Sequence, residues 1–574
     1  MQVFNPKEVP LTQYLFFTGK GGVGKTSVAS ATAINLADQG YKVTLVSTDP
    51  ASNLQDVFEM PLSHEPRPVA NLKNLRIANF NPDQAVEDYK EKVIGPYRDL
   101  LPQEALDNME EQLSGSCTIE VAQFNEFAFF LSDEEVRRTN DYVLFDTAPT
   151  GHTLRMLELP SAWTTYFDEN TTGVSCMGQL SGLTQERERY EQALAVLNDP
   201  KMTSLYIVTR PQEAAINEAN RASQELASIG IRNQSLIVNG YLSEGEDPVA
   251  EAYRHHQERA LAGLAGHLAL LKTYYVPLRP YNVIGFDNLR RLLDPNQPPI
   301  SVSQSSPLKD KAADFEDLVD DLIAKGRQIV FTMGKGGVGK SSIAVKLAQS
   351  LKAKGKKVRL ATTDPADHLH LYLKENQGIM VDHIDEKEEL EKYSQATLEK
   401  SRQFMDEDQL DYVKEDLKSP CTQEIAVFQA FARIVDKASP EEMVVLDTAP
   451  TGHTILLLKS SQAYSHEIER SSGEVDQAAI DLLPRLQSEQ AEVVMVTLAE
   501  ATPYYETQRL AEDLERAGIN HHWWLVNQSL SATETQDPVL AARASAEKEW
   551  LNKISQAAQG NYVILPWDPT FNDQ

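Results

Sequence analysis

The fold of this chain is decided by a glycine-rich stretch that reads Gly19-Lys20-Gly21-Gly22-Val23-Gly24-Lys25-Thr26-Ser27. It fits the phosphate-loop pattern G-x-x-x-x-G-K-[ST] and lies between an apolar run and a stretch with helical character, residues 27–37. Glycines let several backbone N–H groups point at phosphate oxygens, and the N-terminal end of the next helix adds positive potential. The stretch therefore predicts a nucleotide site in which Lys25 contacts phosphate and Thr26 offers its hydroxyl to Mg²⁺.

The same stretch occurs a second time, 315 residues later, as Gly334-Lys335-Gly336-Gly337-Val338-Gly339-Lys340-Ser341-Ser342. Lys340 and Ser341 are predicted to act as Lys25 and Thr26 do. The run DTAPTGHT also occurs twice, at 146–153 and 447–454, and the order of the repeated motifs never changes. Since one phosphate loop alone could be a chance match, the repetition strengthens the prediction and indicates a duplicated, fused domain.

The domain organisation follows from the repeat and from a Pro- and Ser-rich connection. We expect a first ATPase domain at 1–293, a linker at 294–326 and a second ATPase domain at 327–574. Unbroken apolar strands alternate with helical stretches, which is typical of a mostly parallel sheet covered by helices. The predicted fold class is therefore α/β, with two homologous P-loop NTPase domains arranged as a pseudo-twofold dimer in one chain.

Each phosphate loop also carries an early lysine, Lys20 in the first and Lys335 in the second. The pattern GKGGVGK[ST] resembles the deviant Walker A motif of the SIMIBI class of P-loop ATPases. In that class the early lysine reaches across a dimer interface to the partner's nucleotide. The resemblance implies a catalytic role for both lysines, because a cation there stabilises the charge that develops during phosphoryl transfer.

Two pairs of aspartates follow apolar strands at matching places in the repeats. Asp49 and Asp364 precede proline and could orient the attacking water or hold a water on Mg²⁺, while Asp146 and Asp447 occupy the place of a Walker B aspartate. A lone aspartate at such a place is also a common helix N-cap. Its recurrence after a strand in both halves favours the catalytic and magnesium-binding roles.

Two asparagines close later strands, Asn239 in the first half and Asn527 in the second. A side-chain amide at the carboxyl end of a strand could pair with adenine. A turn-forming asparagine explains the same pattern nearly as well.

Composition narrows the choice of partners. The 574 residues carry 54 Lys and Arg against 84 Asp and Glu, a formal charge of −30, which argues against broad binding to nucleic acid. The first ten residues lack the apolar region of a signal peptide, and no run reaches the roughly 20 apolar residues of a spanning helix. We therefore expect a soluble protein without direct membrane insertion.

Only three cysteines occur, and two of them, Cys117 and Cys421, occupy matching positions in the halves. Cys176 has no counterpart. Three thiolates make a poor zinc site but suit a soft three-coordinate ion such as As(III) or Sb(III). A free cysteine is also commonly a small buried hydrophobe, so the residues favour the metal site only modestly.

With these motifs together, the chain resembles the ArsA family of arsenite- and antimonite-stimulated ATPases over nearly its whole length. The most specific parts are the two GKGGVGK loops, the two DTAPTGHT runs, EQLSGSCT and SPCTQEIAVFQAFA. The resemblance implies that metalloid binds at six positions in all, namely Cys117, Cys176, Cys421, His152, His453 and Ser419.

The resemblance also implies partners and a location. These are an ArsB-type membrane pump energised by the ATPase, an ArsD-type metallochaperone, and a cytoplasmic monomer held peripherally at the inner membrane through its partner. The expected function is ATP hydrolysis stimulated by As(III) or Sb(III), with ATP and Mg²⁺ as cofactors. Metalloid bound by both halves would tighten their interface and favour ATP closure.

The alternatives come from the same class of ATPases. A targeting factor for tail-anchored membrane proteins would share the loop, but such factors are homodimers with a zinc CxxC pair, which this sequence lacks. A partitioning ATPase of the ParA or MinD type is disfavoured by the acidic charge and the missing terminal amphipathic helix. A nitrogenase-reductase relative would need symmetric cluster cysteines, and Cys176 does not fit that pattern.

Overall fold

The computed structural model describes residues 1–48, 54–70, 72–98, 102–103, 106, 110, 116–147, 174–175, 178–179, 183–294, 296, 311–362, 378–402, 410, 413, 417, 420–439, 441–447 and 477–569. Contacts divide the chain into two units, residues 1–245 with 253–299 and residues 246–252 with 300–574. The domain bounds expected from the sequence stay a prediction.

The first half of the chain contributes eleven described strands: β1 Gln2–Val3, β2 Tyr14–Thr18, β3 Val43–Ser47, β4 Arg67–Val69, β5 Leu72–Asn79, β6 Tyr142–Asp146, β7 Val174–Ser175, β8 Gly178–Gln179, β9 Thr203–Thr209, β10 Gln234–Tyr241 and β11 Lys272–Pro277. Nine of them form one sheet in the order β1-β11-β10-β9-β2-β6-β3-β5-β4. Neighbours in this sheet are parallel except β4 and β5. β7 and β8 form a separate antiparallel pair.

The described α-helices of this half are Lys25–Asp38, Leu54–Phe58, Pro82–Ile94, Ser116–Ser132, Glu134–Thr139, Leu183–Asn198, Glu213–Ser228, Pro248–Ala262 and Phe286–Leu292. Short 3₁₀ turns lie at Gly95–Tyr97 and Leu268–Leu270. Apolar clusters lie on both faces of the sheet, so helices cover it on both sides as the unbroken apolar strands predicted.

The second half repeats this plan with the strands β12 Ile329–Met333, β13 Lys357–Thr362, β14 Met380–His383, β15 Glu442–Asp447, β16 Ala491–Thr497, β17 Trp523–Ser529 and β18 Tyr562–Pro566. The order is β14-β13-β15-β12-β16-β17-β18, and every pair is parallel. Read from β18, it matches the order β11-β10-β9-β2-β6-β3-β5 of the first sheet strand for strand. The predicted α/β class and the duplication are both confirmed.

The described helices of the second half are Phe315–Ala324, Lys340–Ala353, Glu386–Ser401, Pro420–Lys437, Gln477–Gln487, Ala501–Ala517 and Pro538–Ala557. The first of these begins at Phe315. Ala313 is held in extended conformation, since its N–H donates to Tyr562 O at 2.9 Å, alongside β18. The Asp314 N–H then donates to the Asp317 carboxylate at 2.9 Å, which closes the helix start.

Strand β2 shows how the sequence places the phosphate loop. Leu15 and Phe17 pack into the cluster on one face of the sheet, while Tyr14 and Phe16 pack into the cluster on the other. A strand buried on both faces gains about 1.5–3 kcal/mol from each large apolar side chain, so its register is strongly fixed. The loop that begins at Gly19 therefore starts from a rigid position at the carboxyl edge of the sheet.

Among the described residues, none of the helices combines the length and the apolar character that crossing a membrane requires.

Candidate nucleotide-binding and catalytic site

The first phosphate loop is braced from strand β10, which is separated from β2 by β9 in the sheet. Gly24 caps the helix Lys25–Asp38 with a left-handed φ of 90°, and a Cβ at this position would lie 2.2 Å from Nδ2 of Asn239. The same amide nitrogen donates a hydrogen bond to Val23 O at 2.9 Å. Asn239 therefore holds the loop backbone, and its predicted pairing with adenine stays a prediction.

The second loop repeats this geometry within the second unit. Gly339 has a φ of 89°, and its Cβ would lie 2.3 Å from Nδ2 of Asn527. That nitrogen donates to Val338 O at 3.0 Å. Both units therefore build the same contact between the strand-end asparagine and the backbone of the phosphate loop.

The phosphate-loop lysines are buried in both units. Lys25 is 7% exposed and Lys340 is 8% exposed. The Nζ of Lys25 donates to Lys20 O at 3.3 Å, and that of Lys340 donates to Lys335 O at 3.2 Å. A buried ammonium group favours a nearby anion strongly, so each loop presents a cation suited to a phosphate.

A carboxylate and a hydroxyl meet at the carboxyl end of β6, where a magnesium site is predicted. Thr26 Oγ1 donates to Asp146 Oδ2 at 2.7 Å, and Asp146 is 1% exposed. Asp447 ends β15 in the same way, is 1% exposed, and accepts from Thr362 Oγ1 at 3.2 Å. Hydroxyl and carboxylate oxygens are the hard ligands that Mg²⁺ prefers, so these residues fit that ion.

Several predicted site residues lie outside the described part of the chain. They are Asp49, Asp364, His152, His453, Ser419 and Cys176. Cys117 and Cys421 are described only by their backbone: each is the second residue of a helix, Ser116–Ser132 and Pro420–Lys437 respectively. The two cysteines thus begin corresponding helices in the two halves, as the sequence repeat predicted.

The helix Ser116–Ser132, which contains Cys117, packs directly on the strands of the nucleotide site. Phe127 lies 5.2 Å from Phe145 and 5.8 Å from Phe16, measured between ring centroids. Phe145 is stacked on Phe16 at 4.5 Å and is followed in the chain by Asp146. A displacement of this helix would therefore be transmitted to the strand that ends in Asp146.

Sequence reasoning missed the side chains that support the loops following β10 and β17. In the first half, Gln257 Oε1 accepts from Leu242 N at 3.0 Å. In the second half, Glu547 accepts from Ser529 Oγ at 2.7 Å and from Leu530 N at 2.9 Å. Gln257 lies on the helix Pro248–Ala262 and Glu547 on the helix Pro538–Ala557, and the packing of these helices brings both side chains to the strand ends.

Substitution of Glu547 by Gln is expected to change how stability depends on pH. Burial raises the pKa of Glu547, against the lowering effect of hydrogen bonds from Ser529, Ser531 and Leu530. A carboxyl whose pKa is raised by folding contributes stability below its unfolded pKa, about 4.3, and loses it as pH rises through the folded pKa. The urea midpoint of the wild type, relative to E547Q, should therefore fall as pH rises from about 4 toward 8.

The first half already has a glutamine at the corresponding position: Gln257, a neutral side chain, supports the matching loop there. Tryptophan fluorescence reports mainly on the second half, because four of the five tryptophans lie there. Parallel pH curves for the wild type and E547Q would contradict the prediction.

The chain matches a known protein family over most of its length. The family model for "Anion-transporting ATPase" matches residues 12–294, 327–485 and 474–564. The chain is 42% identical over 559 residues to an arsenical pump-driving ATPase of Escherichia coli, covering 96% of each chain. It is 40% identical over 558 residues to one of Acidiphilium multivorum, again covering 96% of each. ATPase GET3 of Debaryomyces hansenii is 28% identical over 319 residues, which is 50% of this chain and 91% of that protein. The chain is therefore an ATPase and belongs to the ArsA family of anion-transporting ATPases.

Proposed function

We propose that this ATPase hydrolyses Mg–ATP in response to bound As(III) or Sb(III) and so energises a membrane pump that extrudes the metalloid. Two relatives carry the name arsenical pump-driving ATPase and match 96% of the chain. The single observation that carries the proposal is the pair of corresponding helices that have Cys117 and Cys421 as their second residues. Each helix contacts, through a phenylalanine, a strand of the sheet that carries the phosphate loop of its unit.

The residues have separate roles in this reaction. Lys25 and Lys340 bind phosphate, and the glycine-rich loops orient it through their N–H groups. Mg²⁺ bound at the site would neutralise charge on the phosphate oxygens. Its proposed ligands, direct or through water, are Thr26, Ser341, Asp49, Asp364, Asp146 and Asp447.

The early lysines, Lys20 and Lys335, are proposed to complete catalysis by contacting the nucleotide bound by the opposite repeat, as in the SIMIBI class. This role requires the pseudo-twofold pairing of the two halves. Asp49 and Asp364 are proposed to orient the attacking water. A cation that arrives only in the closed state stabilises the transition state more than the ground state, and so raises the rate.

Metalloid binding is proposed to control that closure. Thiolates of Cys117, Cys176 and Cys421 would hold the ion, with His152, His453 and Ser419 as further ligands. In the first unit, the helix of Cys117 contacts the strand that ends in Asp146 through Phe127 and Phe145. In the second, the helix of Cys421 contacts β12, since Phe431 lies 6.4 Å from Phe331.

This coupling is thermodynamically reciprocal. If metalloid favours the ATP-bound closed state, ATP must tighten metalloid binding by the same factor. Equilibrium binding of As(III) with and without a non-hydrolysable ATP analogue measures that factor directly.

The proposal extends to partners and location. An ArsB-type pump would receive the energy, an ArsD-type metallochaperone would deliver the metalloid, and the ATPase would work in the cytoplasm as a monomer, held at the membrane by the pump. The support is the name of the relatives, arsenical pump-driving ATPase.

The decisive test is the steady-state Mg–ATPase rate against arsenite and antimonite concentration. We expect stimulation in the wild type and a loss of at least about 10-fold in stimulation for Cys176→Ser, because removing one of three soft ligands weakens the site strongly. The basal rate should stay within about 2-fold, since the serine variant removes only the metalloid ligand. Cys117→Ser and Cys421→Ser should behave alike.

The opposite outcome has a definite meaning. If the wild type has a normal basal ATPase rate that does not change with arsenite or antimonite concentration, metalloid gating is rejected. Because half of the chain also resembles ATPase GET3, the next measurement would then be binding of an apolar membrane-anchor helix. Capture of that helix in an ATP-dependent way would favour the targeting function.

A further inference from the structure

The early lysine of the second phosphate loop forms an ion pair with a helix of its own unit. Lys335 Nζ lies 2.8 Å from Glu506 Oε1, and the two side chains are only 13% and 16% exposed. Partial burial reduces screening by solvent, so this pair is stronger than an ordinary surface ion pair. Neither the repeat nor the motif pattern singled out Glu506.

Rigid elements on both sides fix this distance. The loop begins at Gly334, which lies against the carbonyl of Val496 near the end of β16. The helix that carries Glu506, Ala501–Ala517, follows the same strand four residues later. Its neighbour Thr507 is fully buried and donates to Pro503 O at 2.7 Å. Glu506 therefore stands on a packed helix that cannot easily follow the lysine if the lysine moves.

The corresponding glutamate of the first unit has a different partner. Glu218 lies 288 residues before Glu506, on the helix Glu213–Ser228, and its carboxylate accepts from Arg221 at 2.8 Å. The second repeat has Arg509 at the position of Arg221. The sequence Glu-x-x-Arg thus places a cation one turn away from each glutamate, where side chains three residues apart can pair.

We propose that Glu506 is a positioning residue that holds Lys335 inside its own repeat in the resting enzyme, and that this ion pair must break before Lys335 can stabilise a nucleotide phosphate. The inference rests on the proposed role of the early lysines. Arg509 lies one helical turn from Glu506, at the spacing at which Arg221 pairs with Glu218, so a cation stays close to the carboxylate when Lys335 leaves.

The test compares Glu506→Gln with the matched variant Glu218→Gln in the full-length protein. Loss of the ion pair should raise the basal Mg–ATPase rate of E506Q by about 3- to 10-fold, the range of a partly buried ion pair. The maximal arsenite-stimulated rate should not change, so the stimulation factor falls by the same amount. E218Q should keep the basal rate and the stimulation factor of the wild type.

A second measurement reads the ion pair directly. Acylation of Lys335 by an N-hydroxysuccinimide ester, followed by mass spectrometry, should be faster in E506Q than in the wild type and unchanged in E218Q. A basal rate for E506Q equal to that of the wild type would overturn the proposal, whether or not Lys335 becomes more reactive. A lower stimulated rate would also overturn it, because Glu506 would then act in the active state.

These outcomes separate the inference from the proposed function. If arsenite fails to stimulate the wild type, metalloid gating is rejected. The basal rates and the labelling of Lys335 still decide whether Glu506 restrains the lysine.

Discussion

Gly334→Ala is expected to abolish nucleotide binding by the second phosphate loop while leaving the first intact. A Cβ at this position would lie 2.0 Å from the carbonyl oxygen of Val496, and 3.1 Å from a methyl carbon of Val338. The clashing atom belongs to the backbone of the buried strand β16, which cannot move aside as a flexible side chain could. We expect nucleotide affinity at this site to fall at least about 100-fold, or 2.7 kcal/mol, because the loop must shift from its phosphate-binding geometry.

The measurement is a titration with a fluorescent ATP analogue. The wild type should bind two equivalents and G334A one, while Gly19→Ala should show the reciprocal loss, since its Cβ would lie 2.1 Å from Val208 O. Gly355→Ala is the matched control: its φ of 81° strains an alanine, but its Cβ would meet no atom within 4 Å. Two tight equivalents in G334A would show that the loop tolerates the added methyl group.

Arg327→Ala should destabilise the second unit by about 3–5 kcal/mol, as expected when one partner of a buried ion pair is removed. The Arg327 side chain is 1% exposed and lies 3.1 Å from the carboxylate of Glu492, which is equally buried. Its guanidinium also pairs with Glu489 at 2.9 Å. The variant leaves the Glu492 carboxylate buried with hydrogen bonding from His522 but without the arginine. The urea midpoint followed by tryptophan fluorescence reports the change.

Two further variants identify the cause of that loss. Replacing both partners, Arg327→Met with Glu492→Met, should recover most of the stability, because no buried charge then remains unpaired. Lys357→Ala removes an exposed ion pair, with Lys357 66% and Glu441 77% exposed, and should leave the urea midpoint nearly unchanged. If the double variant were as unstable as R327A, lost packing rather than the unpaired charge would be responsible.

The sequence determined the parts of this protein that depend on local pattern. The run Tyr14–Phe17 alternates between the two faces of a sheet and is therefore a buried strand, as predicted. The helix after the loop was predicted at 27–37 and spans Lys25–Asp38. Repetition of the motifs predicted two copies of one sheet, and the matching strand orders confirm it.

The sequence also placed Thr26 directly after the phosphate loop and Asp146 at the end of a strand, where the structure has them, while their binding of Mg²⁺ stays a prediction. Thr26 and Asp146 are 120 positions apart, yet each was assigned from its own local pattern, and the fold brings them to 2.7 Å. Parallel strands make this possible, since their carboxyl ends meet at one edge of the sheet.

Only the tertiary structure decided which side chains support and restrain those residues. Asn239 braces the loop at Val23, although the sequence offered it as an adenine contact or a turn-forming residue. Glu506 pairs with Lys335, although the sequence analysis did not single it out. The physical reason is that a motif records groups that contact the substrate, whereas a supporting contact needs only a suitable side chain at the right distance. That distance is set by the packing of a strand and helix far away in the chain, which no local pattern encodes.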